Sequence, residues 1–166
     1  MQIYALNGYL YSIEPRLKPA LADYVVQFPY HANWTPRRAE ALSATIRSPC
    51  ILIGFSDGAD AAARIAKSNP NVKALFFHSG LDSGIKLPDS VDFVAYRTTG
   101  DRTPTYQQTK RFYWRQRDGV MVELVPVAFD DPTRFERTFL TPLGHQFHNA
   151  IPHLVSAIGE VMKKWS

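Results

Sequence analysis

The stretch ILIGFSDGADAAARIA, residues 51–66, decides how the chain is read. Its first five residues are an uninterrupted apolar run of β-forming type, short enough for a strand buried on both faces. From Gly58 onward the pattern turns helical, with Ala59, Ala62, Ala63 and Ala66 forming a small-residue face able to lie close against a sheet. Between strand and helix stands Gly54-Phe55-Ser56-Asp57-Gly58, a G-x-S-x-G sequence. Ser56 either caps an ordinary helix or projects a reactive hydroxyl from a strained turn. The second role requires small residues on both sides, a strand before and a helix after.

Outward from this stretch, apolar runs alternate with helical patterns. IYAL (3–6), YVVQF (24–28), ALFFH (74–78) and DFVAY (92–96) read as further strands. Alternation of this kind predicts βαβ units, and hence a single three-layer α/β/α sandwich around a mostly parallel sheet. Ser12 is positioned to cap a helix over 12–24, with Pro15 tolerated in its first turn and Pro19 shortening or kinking it. Thr35 and Pro36 open a helix over 37–48, with Ala39, Leu42 and Ile46 on one stripe. Beyond residue 101 the alternation weakens. RFYWRQ and VMVELVPV flank Arg117-Asp118-Gly119, a hairpin signal, and FERTFLTPL is a further extended run. IPHLVSAIGEVMKKW closes the chain as an amphipathic helix over 151–165, with Lys163 and Lys164 near its C-terminus.

The 166 residues suit one domain spanning 1–166. A composition of 45% hydrophobic, 20% charged and 13% aromatic residues is that of a globular protein rather than a disordered one. The single cysteine, Cys50, rules out an intramolecular disulfide and directly precedes an apolar strand, where a buried inert thiol is expected. No basic n-region precedes the first apolar run, and no stretch approaches the length needed to span a bilayer, so a cytoplasmic location is expected. The formal charge of +4 is concentrated only between Arg97 and Arg117. KRFYWRQR, read as a strand, separates Phe112 and Trp114 from Arg111, Tyr113, Arg115 and Arg117, and one buried face with one solvated basic face explains it without nucleic acid.

A serine hydroxyl is a poor nucleophile until a base takes its proton. Asp101, in Gly100-Asp101-Arg102, follows the strand at 92–96, and His145, in Leu143-Gly144-His145-Gln146-Phe147, precedes the last helix. Serine, aspartate and histidine thus occur in the order Ser56, Asp101, His145. Asp82 is the alternative acid and His148 the alternative base. For the oxyanion, Asp57 supplies the N–H after the nucleophile. Gly8 follows the first strand, so that Tyr9, or otherwise Leu10, can supply a second. Asp57's own carboxylate sits in the first turn of a helix, where negative charge is favourable in any case. Asp60, Asp130 and Asp131 read as solvated surface. His31 and His78 follow strands, where they can line the site, but a structural role is the expectation for each, and His153 is a packing or surface residue. No histidine pair has the helical spacing of a metal site, and neither a metal nor a cofactor is expected. The GFSDG turn lacks the lysine and spacing of a phosphate-binding P-loop.

These segments resemble the α/β-hydrolase superfamily over nearly the whole chain: ALNGYLYS its early oxyanion segment, GFSDGA its nucleophile elbow, GDRTP its acid loop and LGHQF its histidine loop. The resemblance implies a minimal, capless serine esterase or lipase-like enzyme cleaving a carboxylic ester through an acyl-enzyme. In it Ser56 attacks, His145 carries the proton, Asp101 holds the imidazole, and Tyr9 and Asp57 form the oxyanion hole. Asn7 stands where the family has a histidine, and 111–129 reads as a hairpin where the family has a helix. With few residues for a lid, an open site and a small or surface-presented ester are expected. The alternative is a non-catalytic module of the same fold that binds an anionic ligand or partner. Subfamily and oligomeric state are not legible.

Overall fold

The computed structural model describes residues 1–78, 87–88, 90–98, 123–127 and 151–166. Six strands form one sheet: β1 (Gln2–Leu6), β2 (Val26–Gln27), β3 (Cys50–Phe55), β4 (Val72–His78), β5 (Asp92–Thr98) and β6 (Glu123–Val127). Their spatial order is β2-β1-β3-β4-β5-β6, and every neighbouring pair is parallel. The five strands expected before residue 100 are all present. The segment VMVELVPV, expected as one arm of a hairpin, contributes β6 parallel to β5, with Val94 opposite Glu123 and Thr98 opposite Val127. Its expected partner arm, RFYWRQ, lies outside the described residues, as does the run FERTFLTPL.

The helices are α1 (Glu14–Ala20), α2 (Pro36–Thr45), α3 (Asp57–Ser68) and α4 (Ile151–Lys164). Alternate residues of the buried strands feed two cores. On one face Ile51, Ile53, Phe55, Ala74 and Phe76 pack with Leu17 of α1 and with Leu154 and Ile158 of α4. On the other, Leu52, Leu75 and Phe77 pack with Ala39 of α2 and the alanines of α3. The result is an α/β/α sandwich. Because β1 lies between β2 and β3, the chain moves one way through α1 and back the other way through α2. Right-handed crossovers then require those helices on opposite faces. The observed packing satisfies that requirement.

Local chemistry sets the helix ends. Thr35 caps α2 as expected, its Oγ1 accepting the Arg38 N–H at 3.2 Å. Ser12 does not cap α1: the N-cap position is Ile13, without a side-chain cap, and the Ser12 hydroxyl only receives the Glu14 N–H at a long 3.4 Å. Pro19 lies in the last turn of α1, which stops at Ala20 rather than reaching Tyr24. Lys164 donates to Asp92 at 2.6 Å, but both side chains are well exposed, so the pair is worth at most about 1 kcal/mol. Full burial of Leu154 and Ile158 is worth about 1.5–3 kcal/mol each, and this is what holds α4 to the sheet.

Cys50 is 0% exposed at the start of β3. Burial pushes its thiol up to about 12, against a smaller opposing effect of the Lys73 charge. Because the thiolate is the reacting species, the native protein should take up no iodoacetamide at about pH 8 over the minutes in which the urea-unfolded chain is alkylated. Comparable native and unfolded rates, read by intact mass, would contradict the burial of this thiol.

Candidate functional site

In open α/β sheets, ligands gather at the C-terminal strand edge where the chain reverses direction along the sheet. Here that point is the gap between β1 and β3. The parallel register sets Leu6 opposite Gly54, so the turns after β1 and β3 emerge side by side. One carries Asn7, Gly8 and Tyr9, the other Ser56 and Asp57.

Ser56 has φ 53° and ψ −113°. An N-cap residue normally has extended backbone and offers its side-chain oxygen to the helix. Ser56 has neither property: its φ is in the left-handed region and its side chain makes no cap bond. A non-glycine residue held this way costs on the order of 1–3 kcal/mol, retained only where the surroundings over-determine it. Two glycines do so here. A Cβ on Gly54 would stand 2.6 Å from both the Ala59 Cα and the Gly58 carbonyl oxygen, and one on Gly58 would strike the carbonyls of Leu6 and Asn7. Only without those carbons can α3 start directly over the end of β3 and against the end of β1.

The turn after β1 is equally constrained. Gly8 C=O accepts the Tyr11 N–H at 3.1 Å, closing a β-turn whose third residue, Leu10, has φ 53°. Leu10 donates its N–H to Ala32 C=O at 2.9 Å, which removes it as an oxyanion donor. Among the described residues nothing accepts the Tyr9 N–H. The Asp57 N–H, at the first position of α3, has no acceptor within the helix. Neither N–H therefore has an acceptor among the described residues.

Asn7 is 2% exposed and fully engaged. Its Nδ2 donates to Gly8 C=O at 2.7 Å and to His31 C=O at 2.5 Å, while its Oδ1 accepts from the His31 N–H at 3.1 Å and the Trp34 Nε1–H at 3.0 Å. The Asp57 carboxylate does more than face the helix start, since its Oδ2 accepts the Trp34 N–H at 2.5 Å. The His31 ring lies edge-on to Trp34 at 4.6 Å, and its backbone N–H and C=O are both bound by the Asn7 amide. The sequence reading missed Trp34 altogether. A tryptophan directly before the helix-capping Thr35, flanked by Asn33, was the available signal.

Asp101, Asp82, His145 and His148 lie outside the described residues, as do Asp130 and Asp131. β5, which precedes Asp101 in the chain, ends at Thr98 on the same sheet edge as Phe55, and α4, which follows both histidines, begins at Ile151. The register places the backbone of His78 beside Phe55. His153 is exposed on α4, and Asp60 is half-buried rather than fully solvated. Among the described residues no three His, Cys, Asp or Glu side chains gather as a metal site, and no helix is long and apolar enough to cross a membrane.

No protein-family model matches the chain, and no curated protein matches it by sequence. Solved structures do match. A Bacillus cereus carboxylesterase superposes with a TM-score of 0.67 at 12% identity, over 96% of this chain and 88% of that one. A candidate dienelactone hydrolase of Klebsiella pneumoniae gives 0.61 at 10% identity, over 97% and 86%. A candidate YdeN-like hydrolase of Pectobacterium atrosepticum gives 0.57 at 17% identity, over 77% of each chain. The chain has the α/β-hydrolase fold.

If tertiary packing imposes the Ser56 strain, glycine should relieve it and alanine should not. Ser56→Gly is expected to melt about 2–6 °C above Ser56→Ala, corresponding to roughly 1–2 kcal/mol. Equal melting temperatures would remove the argument from strain. Gly58→Ala should destabilise by about 1–3 kcal/mol in urea titration, through the clash with the β1 carbonyls.

Proposed function

We propose that the protein is a serine hydrolase cleaving a carboxylic ester through an acyl-enzyme, and the observation that carries this reading is the backbone of Ser56. A strained turn between strand and helix, with the hydroxyl excluded from capping, is what a nucleophile needs and what a capping serine avoids. The free N–H groups of Tyr9 and Asp57 at the same strand edge support it, and so do the hydrolases among the structures of similar fold.

In this mechanism the Ser56 Oγ attacks the ester carbonyl while His145 takes its proton and Asp101 holds the imidazolium. The Tyr9 and Asp57 amides donate to the oxyanion. His145 then protonates the departing alcohol, and water repeats the sequence on the acyl-enzyme. Tyr9 and Leu10 are 49% and 45% exposed, so the described side of the site is open. That suits a small ester or one presented on a surface.

A fluorophosphonate probe should label the protein on Ser56, located by peptide mass, and Ser56→Ala should abolish labelling and lower turnover of a small activated ester by about 10⁴-fold or more. An unlabelled, inactive wild type would instead favour a non-catalytic module of the same fold. In the same assay Asp101→Ala should cost far more than Asp82→Ala, and His145→Ala far more than His148→Ala. The reverse order in either pair would reassign that role.

A further inference from the structure

The two amides assigned to the oxyanion belong to segments remote in sequence, and one short loop is bonded to both. Residues 31–34, between β2 and α2, hold the β1 turn on either side of Tyr9: Asn7 bridges Gly8 C=O to the His31 backbone, and Ala32 C=O receives the Leu10 N–H. The same loop holds the other donor's residue, because the Trp34 N–H is bound by the Asp57 carboxylate. Trp34 closes the circuit, donating its indole N–H back to Asn7. A side-chain amide has two donor hydrogens and two acceptor lone pairs, and Asn7 uses all four in a buried setting. Satisfied buried networks of this kind fix geometry.

We infer that Asn7, Trp34 and the Asp57 carboxylate are positioning residues, a strut that fixes the Tyr9 and Asp57 N–H groups relative to one another so that both meet one oxygen. The inference rests on the serine-hydrolase reading. Oxyanion stabilisation depends on donors already in place when charge develops, and a displacement of about 1 Å can cost roughly 100-fold in rate. The charge is absent from the bound ester and present in the transition state and the tetrahedral intermediate, so loosening the strut lowers kcat and leaves KM nearly unchanged. A role confined to the helix charge or to general stability predicts no such division.

The test is steady-state hydrolysis of a small activated ester by the full chain. Asp57→Ala should lower kcat by about 10–100-fold with KM within about two-fold. Asp57→Asn, which restores an oxygen acceptor for the Trp34 N–H without the charge, should recover kcat to within about five-fold of the parent. Trp34→Phe keeps an aromatic ring and the backbone N–H while removing the donor to Asn7 together with the pyrrole part of the indole, so it carries the test if Asp57→Ala fails to fold. Its expected loss is about 3–10-fold in kcat, again without a matching change in KM. Parent-like kcat in Trp34→Phe and in folded Asp57→Ala overturns the strut. Equal losses in Asp57→Ala and Asp57→Asn overturn it too, assigning the effect to charge, and so does a loss expressed in KM. Absence of fluorophosphonate labelling of the wild type overturns the hydrolase reading itself, and the catalytic role of the strut with it.

Discussion

The close approach of α3 to the ends of β1 and β3 is the constraint on which the site depends. Gly54 leaves room for the backbone at Gly58 and Ala59, and Gly58 leaves room for the carbonyls of Leu6 and Asn7. With those distances set, the chain has one residue in which to pass from strand to helix, and that residue takes φ 53° although it is not glycine. The energy stored there is small beside the burial of β3, whose residues are all buried. A fully buried strand can hold a strained residue at its end because relieving the strain would disturb two cores at once.

The same packing explains why Asn7 can stand where a histidine is usual in chains of this resemblance. The oxyanion donor proposed for this turn is a backbone N–H, so the preceding side chain need only support the loop. Asn7 does so with four hydrogen bonds to neighbours within reach of a short amide. Leu10, whose N–H was the alternative donor, is removed from that role by its bond to Ala32.

Much of the fold was legible because burial on both faces writes a clear signal: ILIGF and ALFFH are strands in the sequence and in the structure. Helix boundaries were less legible. Thr35 caps α2 as its residue type predicts, yet Ser12 sits one residue too early to cap α1. VMVELVPV carries a hairpin signal whose other arm lies outside the described residues, and nothing in the local pattern says that its 123–127 portion pairs parallel with β5.

The sequence by itself determined that residues 51–66 run strand, turn and helix, that the turn carries a serine between small residues, and that a glycine follows the first strand. These are local facts, fixed by periodicity and by the steric limits of each residue. Tertiary structure alone decided that Ser56 is strained rather than capping, that Tyr9 rather than Leu10 keeps a free N–H, and that Asn7, Trp34 and Asp57 meet. Each of those outcomes depends on which strands are neighbours and in what register, and register arises only when the two faces of the sheet are packed together.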